Sequence, residues 1–221
     1  MVSKPKSYIA FFDLDKTILS INSGSRLVRE AHNRKLMSTP DFVKAVYYSL
    51  LYKFHLRDTD RIISGMGQWL KGIRVDAVED LSVTIVKEYL IAAIRPEILN
   101  EIKYHKEYDA EVVILSSAMT EICKPIQTHI GFDTIICSKM KIENGYFTGL
   151  PETKFCFEEE KRERLIEYCL SRNYNPDHAF YYGDSIADIP PLEAVGHPVC
   201  VSPDKKLRRI ALERGWEIKN W

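Results

Sequence analysis

Phe11-Phe12-Asp13-Leu14-Asp15-Lys16-Thr17 closes the first apolar run of the chain. Residues 8–12 are aromatic, branched or small and carry no charge, which predicts a short buried strand. Two carboxylates, two positions apart, and a hydroxyl follow at once. Just past the carboxyl end of a strand is where open α/β sheets bind ligands. Carboxylates this close repel unless a proton or cation lies between them, so the arrangement invites a divalent metal. Asp-x-Asp is also common in solvated turns, and its meaning depends on what the remaining chain brings to it.

Downstream of Thr17 the pattern is helical as far as about residue 94. Val43, Val46, Tyr47, Leu50 and Leu51 share one helical face, and so do Ile62, Ile63, Met66, Trp69 and Leu70. About four helices are expected here, one of them starting at Asp76 with Glu79 three residues on. The aromatic stripe Tyr47, Tyr48, Tyr52, Phe54 reads as packing.

From Pro96 onward helices and strands alternate. A helix is predicted from residue 96, then a buried strand over 112–115 ending at Ser116-Ser117. A helix through Ile122, Ile126 and Ile130 carries Pro125 and stops at Gly131. A strand over 134–138 precedes a hairpin around Asn144-Gly145. A helix over 158–171 puts acids first and bases after, which suits its dipole. Strands follow at 179–182, ending in Gly183-Asp184, and at 198–201. Ser202-Pro203 is expected to cap a last helix that stops at Gly215. Alternation of this kind predicts a doubly wound, Rossmann-like parallel sheet with an inserted all-helical domain. The core would comprise residues 1–21 and 95–221, and the insertion 22–94.

Lys+Arg and Asp+Glu both number 31, so net charge argues for neither nucleic acid nor an anionic membrane as partner. The longest uncharged apolar patch, residues 45–52, is far short of the roughly 20 needed to span a bilayer. The five cysteines include no Cys-x-x-Cys and read as buried thiols. Asp13 interrupts the first apolar stretch, against a signal peptide. A soluble cytoplasmic protein is expected.

Four places share one address, the carboxyl end of a strand or the start of the helix facing it: Asp13/Asp15/Thr17, Ser116, Lys161, and Gly183-Asp184 with Asp188. Each alone has a plainer reading. Ser116 suits a helix cap, Lys161 a solvated charge run, and Gly183-Asp184 a turn. In this order and spacing, however, the chain resembles the haloacid dehalogenase-like phosphatase superfamily, and within it the phosphoserine-phosphatase-like subfamily (subfamily IB). The resemblance runs through Asp13-Leu14-Asp15-Lys16-Thr17, residues 112–116, Lys161 and Gly183-Asp184-Ser185-Ile186-Ala187-Asp188.

That resemblance implies a phosphate-monoester hydrolase with Asp13 as nucleophile, forming an aspartyl-phosphate. It implies Asp15 as general acid and base. Mg²⁺ would be held by Asp13, the Asp15 backbone carbonyl and Asp184, with Gly183 and Asp188 behind them. Lys161, Thr17 and Ser116 would bind phosphate. The substrate would be a small phosphorylated metabolite. A phosphotransferase or mutase using the same intermediate, or a non-enzymatic phospho-acceptor, are the alternatives. Phosphoserine phosphatases carry a glutamate for the substrate ammonium where this chain has Asn22. Phosphoserine is therefore not the expected substrate, and Asn22→Glu is expected to favour amino-acid phosphates if the position faces the pocket. Asn22, Ser23 and Arg26 are the leading candidates for specificity contacts, with Arg57 and Arg61 behind them.

Overall fold

A computed structural model describes residues 7–53, 65 and 67–221, with side chains of 50–53 excepted. The expectations placed on Phe54, Arg57, Arg61, Ile62, Ile63 and Met66, and on the side chains of Leu50, Leu51 and Tyr52, lie outside the described residues. Strand β1 (Ile9–Phe12) opens the fold and is followed by helices α1 (Ser23–Asn33) and α2 (Thr39–Lys53). Helix α3 (Val75–Ile85) runs on through a wider turn, Val86–Leu90, and a tighter one, Ile91–Ala93. Next come α4 (Pro96–Glu107), β2 (Glu111–Met119), α5 (Thr120–Ile130) and β3 (Thr134–Ser138). The hairpin β4 (Met140–Glu143) and β5 (Tyr146–Pro151) leads into α6 (Glu159–Ser171). The chain ends with β6 (Phe180–Gly183), α7 (Ile189–Glu193), β7 (His197–Val201), α8 (Lys205–Arg214) and β8 (Glu217–Lys219).

Six strands form a parallel sheet in the order β3-β2-β1-β6-β7-β8. The order reverses between β1 and β6, and a crevice opens at such a switch point beyond the carboxyl ends of the strands. Ile9, Phe11, Val113, Leu115 and Tyr181 face one apolar layer; Ala10, Phe12, Val112, Ile114 and Tyr182 face the other. Strands buried on both faces are continuously apolar, which is why β1 and β2 could be read from composition.

The helical segment leaves and rejoins the sheet at one place. Ser20 N–H donates to Ala93 O (2.8 Å), Arg95 N–H donates to Ile18 O (3.0 Å), and Leu19 bridges Ile94. A second tie lies at the hairpin, where Asn144 and Gly145 both take positive φ (52° and 80°), as a two-residue turn requires. Phe147 N–H donates to Ile73 O and Gly72 N–H to Phe147 O, both at 2.9 Å. Leu70, Val78, Met140 and Phe147 make a small apolar cluster beneath.

Several expectations are corrected. Asp76 is not a cap: Arg74 precedes α3, and Asp76 inside the first turn pairs with its guanidinium. Asp204, not Ser202-Pro203, caps α8, accepting from Lys206 N–H (2.8 Å) and Leu207 N–H (2.9 Å). Val43, Val46 and Tyr47 are exposed, whereas Ala45 is buried and Phe42 stacks on His32. Periodicity gives the faces of a helix but not which one a neighbour covers. Trp69 and Leu70 sit in a short tight turn, Gln68–Leu70. Strand β8 was not anticipated.

The strands carrying the site are tied by a buried polar chain. Tyr182 stacks on Phe12 at 4.4 Å between centroids, and its hydroxyl donates to Glu101 (3.0 Å). That hydroxyl must then accept from Nε2–H of His105 (2.8 Å), which leaves Nδ1 to accept from the Tyr8 hydroxyl (2.9 Å). This pattern needs a neutral imidazole, and burial, opposed by Glu101 and aided by Lys219, pushes His105 down to about 4. Between pH 6.5 and about 4 the unfolded chain takes up a proton that folded His105 refuses. Stability contributed by His105 is therefore complete above that window and lost as pH falls through it. Thermal melts should show His105→Gln with a lower Tm at pH 7 but less loss of Tm on acidification than wild type. Parallel Tm curves would refute this account.

Candidate active site

β1 ends at Phe12, and Asp13 N–H donates to Tyr182 O of the neighbouring strand (2.9 Å), so Asp13 leaves the sheet at the switch point. A wide turn follows, closed by Leu19 N–H on Leu14 O (2.9 Å). Inside it Lys16 takes a left-handed conformation (φ 60°), with Arg95 donating to its carbonyl at 3.2 Å. The turn brings the chain back so that α1 starts beside Asp15.

Lys161, in the first turns of α6, is 3% exposed, a depth at which an ammonium needs partners. Its Nζ lies 2.8 Å from Asp13 Oδ1, 2.8 Å from Asp188 Oδ1 and 3.2 Å from the Tyr181 hydroxyl. Burial pushes the lysine down, but Asp13 and Asp188 outweigh it and hold the ammonium charged. Asp188 also accepts from the Tyr181 hydroxyl (2.7 Å), from Ser185 N–H and Oγ–H (both 3.1 Å) and from Asp184 N–H (3.3 Å). Burial raises Asp188, yet Lys161 and these donors overcome it and keep it ionised. Gly183 is required here, because a Cβ would sit 2.7 Å from Asp188 Cβ and 2.9 Å from the Tyr181 ring.

Among the described residues, Asp13, Asp184 and Asp188 form the one group of metal-ligating side chains whose oxygens lie within 4.8 Å of one another. Burial, with the neighbouring carboxylates, raises Asp184; burial raises Asp13 against the pull of Lys161. Three crowded carboxylates facing one ammonium carry surplus negative charge, and their donors are all oxygen. That fits a hard divalent cation such as Mg²⁺.

Asp15 is half-buried and its carboxylate belongs to a different grouping. It accepts from Asn22 Nδ2–H on Oδ2 and from Ser23 N–H on Oδ1, each at 2.8 Å. Burial raises it, opposed by hydrogen bonds from Ser23. The Asn22 carbonyl accepts from Ser25 N–H (2.8 Å) and caps α1, so both ends of that amide are engaged. Thr17 Oγ1 is buried with no hydrogen-bond partner. The strand expected to end at Ser116-Ser117 runs on to Met119, and Ser116, 1% exposed, sits where its register with β3 shifts; it accepts from Ala118 N–H (3.2 Å) and keeps its own proton to donate. Arg26 lies over the Tyr89 ring at 4.2 Å and 3.9 Å from Glu30. Tyr181 is the residue that sequence reasoning missed, hidden in an apolar run that reads as strand.

The family model described as haloacid dehalogenase-like hydrolase matches residues 10–193, a span holding every residue of this site. The chain belongs to that family. A Mycobacterium tuberculosis protein named as a probable phosphatase is 31% identical over 213 residues, covering 95% of this chain and 74% of that one. A Bordetella pertussis protein of unknown function has the same fold, with a TM-score of 0.89 at 20% identity over 97% and 99% of the two chains. A phosphoserine phosphatase solved with its substrate superposes with a TM-score of 0.71 at 17% identity, covering 98% of this chain and 100% of that one. The family model and the 31% identical relative place the chain among enzymes of the phosphatase kind, and the two superpositions show a fold shared with phosphoserine phosphatase.

Removing the ammonium alone would leave two buried carboxylates unpaired, a change that typically costs about 3–5 kcal/mol. Lys161→Met should lose that much stability in denaturant titrations run with EDTA, and Mg²⁺ should restore part of it. Asp13→Asn relieves crowding and leaves the Lys161–Asp188 pair, so its unfolding midpoint should stay near wild type. Equal losses in the two variants would contradict this division of roles.

Proposed function

We propose that the protein is a Mg²⁺-dependent phosphomonoesterase that acts on a small phosphorylated metabolite through an aspartyl-phosphate at Asp13. The observation that carries this is Asp13 itself, a buried carboxylate at the end of the central strand beside one buried ammonium and two further carboxylates. Residues 22–94 act as a cap domain on a core formed by 1–21 and 95–221, joined at the paired crossings near residues 19 and 94. The metal would be held by Asp13, the Asp15 backbone carbonyl and Asp184. Asp188, its oxygens taken by Lys161, Tyr181 and Ser185, braces that set. Bound there, Mg²⁺ supplies positive charge for the phosphoryl oxygens.

Asp13 attacks phosphorus in line, and the ester oxygen leaves with the proton of Asp15. Burial favours a proton on Asp15, as this step requires. Asp15 then takes a proton from the water that opens the aspartyl-phosphate, which returns the enzyme to its starting state. Lys161 sets positive charge against Asp13 and the incoming phosphate. The hydroxyls of Thr17 and Ser116 donate to phosphate oxygens; the unpartnered Thr17 Oγ1 has its hydrogen bond still to make. The five cysteines are buried free thiols, which suits a reducing cytoplasm.

The substrate is other than phosphoserine. A charge-assisted contact to an ammonium is worth roughly 1.5–3 kcal/mol, and neutral Asn22 cannot supply it. Because Asn22 faces Asp15, Asn22→Glu would set a second carboxylate against the acid/base, so that variant should now lose activity on all substrates. Phosphate release from a panel of amino-, sugar-, polyol- and choline-type phosphates tests the reading. Activity should require Mg²⁺, vanish with EDTA and fall by orders of magnitude in Asp13→Asn. Retained turnover in that variant excludes the covalent route, and phosphoserine ranking first in kcat/KM excludes the substrate assignment.

A further inference from the structure

Resting on that reading, we propose that Asn22 is a positioning residue that aims the Asp15 carboxyl group at the leaving oxygen. One amide makes two commitments. The atom facing the Ser25 N–H must be the carbonyl oxygen, because the amide nitrogen cannot accept, and this fixes which end of the side chain is Nδ2. Nδ2 is thereby turned onto Asp15 Oδ2 at 2.8 Å. Ser23 N–H, fixed by the start of α1, holds Oδ1 at the same distance. With a single hydrogen bond a carboxyl group still turns about its Cβ–Cγ bond. Asn22 is the side-chain donor on the other oxygen and restrains that rotation, beside the backbone donors Ser23 and Gly24 at the same helix end. Proton transfer to a leaving group depends on the proton lying within hydrogen-bond reach and in line. Asn22 touches neither phosphate nor metal in this account; it acts through Asp15.

The same contact ties the acid/base to the helical segment, since Asn22 and Ser23 are its first residues. Cap position and acid/base orientation are thus one variable.

The simpler alternative is that Asn22 serves only as the α1 cap. Asn22→Ser separates the two roles. Serine caps a helix about as well as asparagine but is too short and lacks the amide donor for Asp15. Asn22→Thr, a second capping residue, serves if the serine variant is poorly folded. The measurement is kcat/KM with Mg²⁺ for p-nitrophenyl phosphate, whose leaving group departs without a proton, and for p-methoxyphenyl phosphate, whose leaving group needs one. Because kcat/KM reports steps up to formation of the aspartyl-phosphate, it isolates the acid role of Asp15. The serine variant should keep p-nitrophenyl phosphate within about twofold and lose about tenfold on the methoxy ester, at a Tm close to wild type. Equal losses on both esters, or no loss on either, would overturn the proposal. Asp13→Asn, run beside it, reports separately on the underlying reaction: activity surviving there sinks the phosphatase mechanism and not the positioning role alone.

Discussion

The ammonium of Lys161 lies between the carboxylates of Asp13 and Asp188, 2.8 Å from an oxygen of each, at a depth where none of the three is tolerable alone. Around that contact the ends of β1 and β6 and the start of α6 are brought to one point. Asp188 is stapled from below by Tyr181 and from the side by Ser185, which closes the turn after β6. The chain accepts local strain to make this convergence. Lys16 and Glu158 both take positive φ (60° and 44°), and non-glycine residues held so cost on the order of 1–3 kcal/mol each. Both flank the site, one just after the Asp13 turn begins and the other just before the helix that carries Lys161.

The described part of the helical segment, residues 22–53, 65 and 67–94, is not a loosely tethered lid. It is bonded to the core where the chain crosses twice near residues 19 and 94, and again where residues 72–75 run against the β4–β5 hairpin. Leu81, Ile85, Val86 and Leu90 belong to the same buried cluster as Phe12 of β1 and Ile122 of α5. Movement of α1 relative to Asp15 would break the two hydrogen bonds from Asn22 and Ser23, so the segment communicates directly with the proposed acid/base.

The relatives and the geometry bear on different questions. Identity of 31% to a probable phosphatase, with the family model spanning residues 10–193, fixes the lineage. Superposition on phosphoserine phosphatase at 17% identity speaks for the fold and leaves the choice of substrate to the residues around the pocket. There the side chain at position 22 is committed inward. With Asn22 engaged by Asp15 and Ser25, it is not free to meet a substrate group.

The sequence by itself determined the parallel sheet and marked Asp13, Lys161, Asp184 and Asp188, which the fold brings together, because each signal is written locally. Buried parallel strands are continuous apolar runs, Gly131 and Gly215 take the left-handed conformation that ends their helices, and Asn144-Gly145 forms the tight turn its chemistry favours. Strand β8 escaped notice because Glu217-Ile218-Lys219 has no apolar run; its edge position is set by pairing with β7. The exposure of Val43, Val46 and Tyr47, the role of Tyr181 and the neutral His105 between two tyrosines all depend on which surfaces meet, information that no local pattern holds. The tertiary structure alone decided what Asn22 faces. It lies seven positions after Asp15, and only the turn between β1 and α1 brings its amide to that carboxylate.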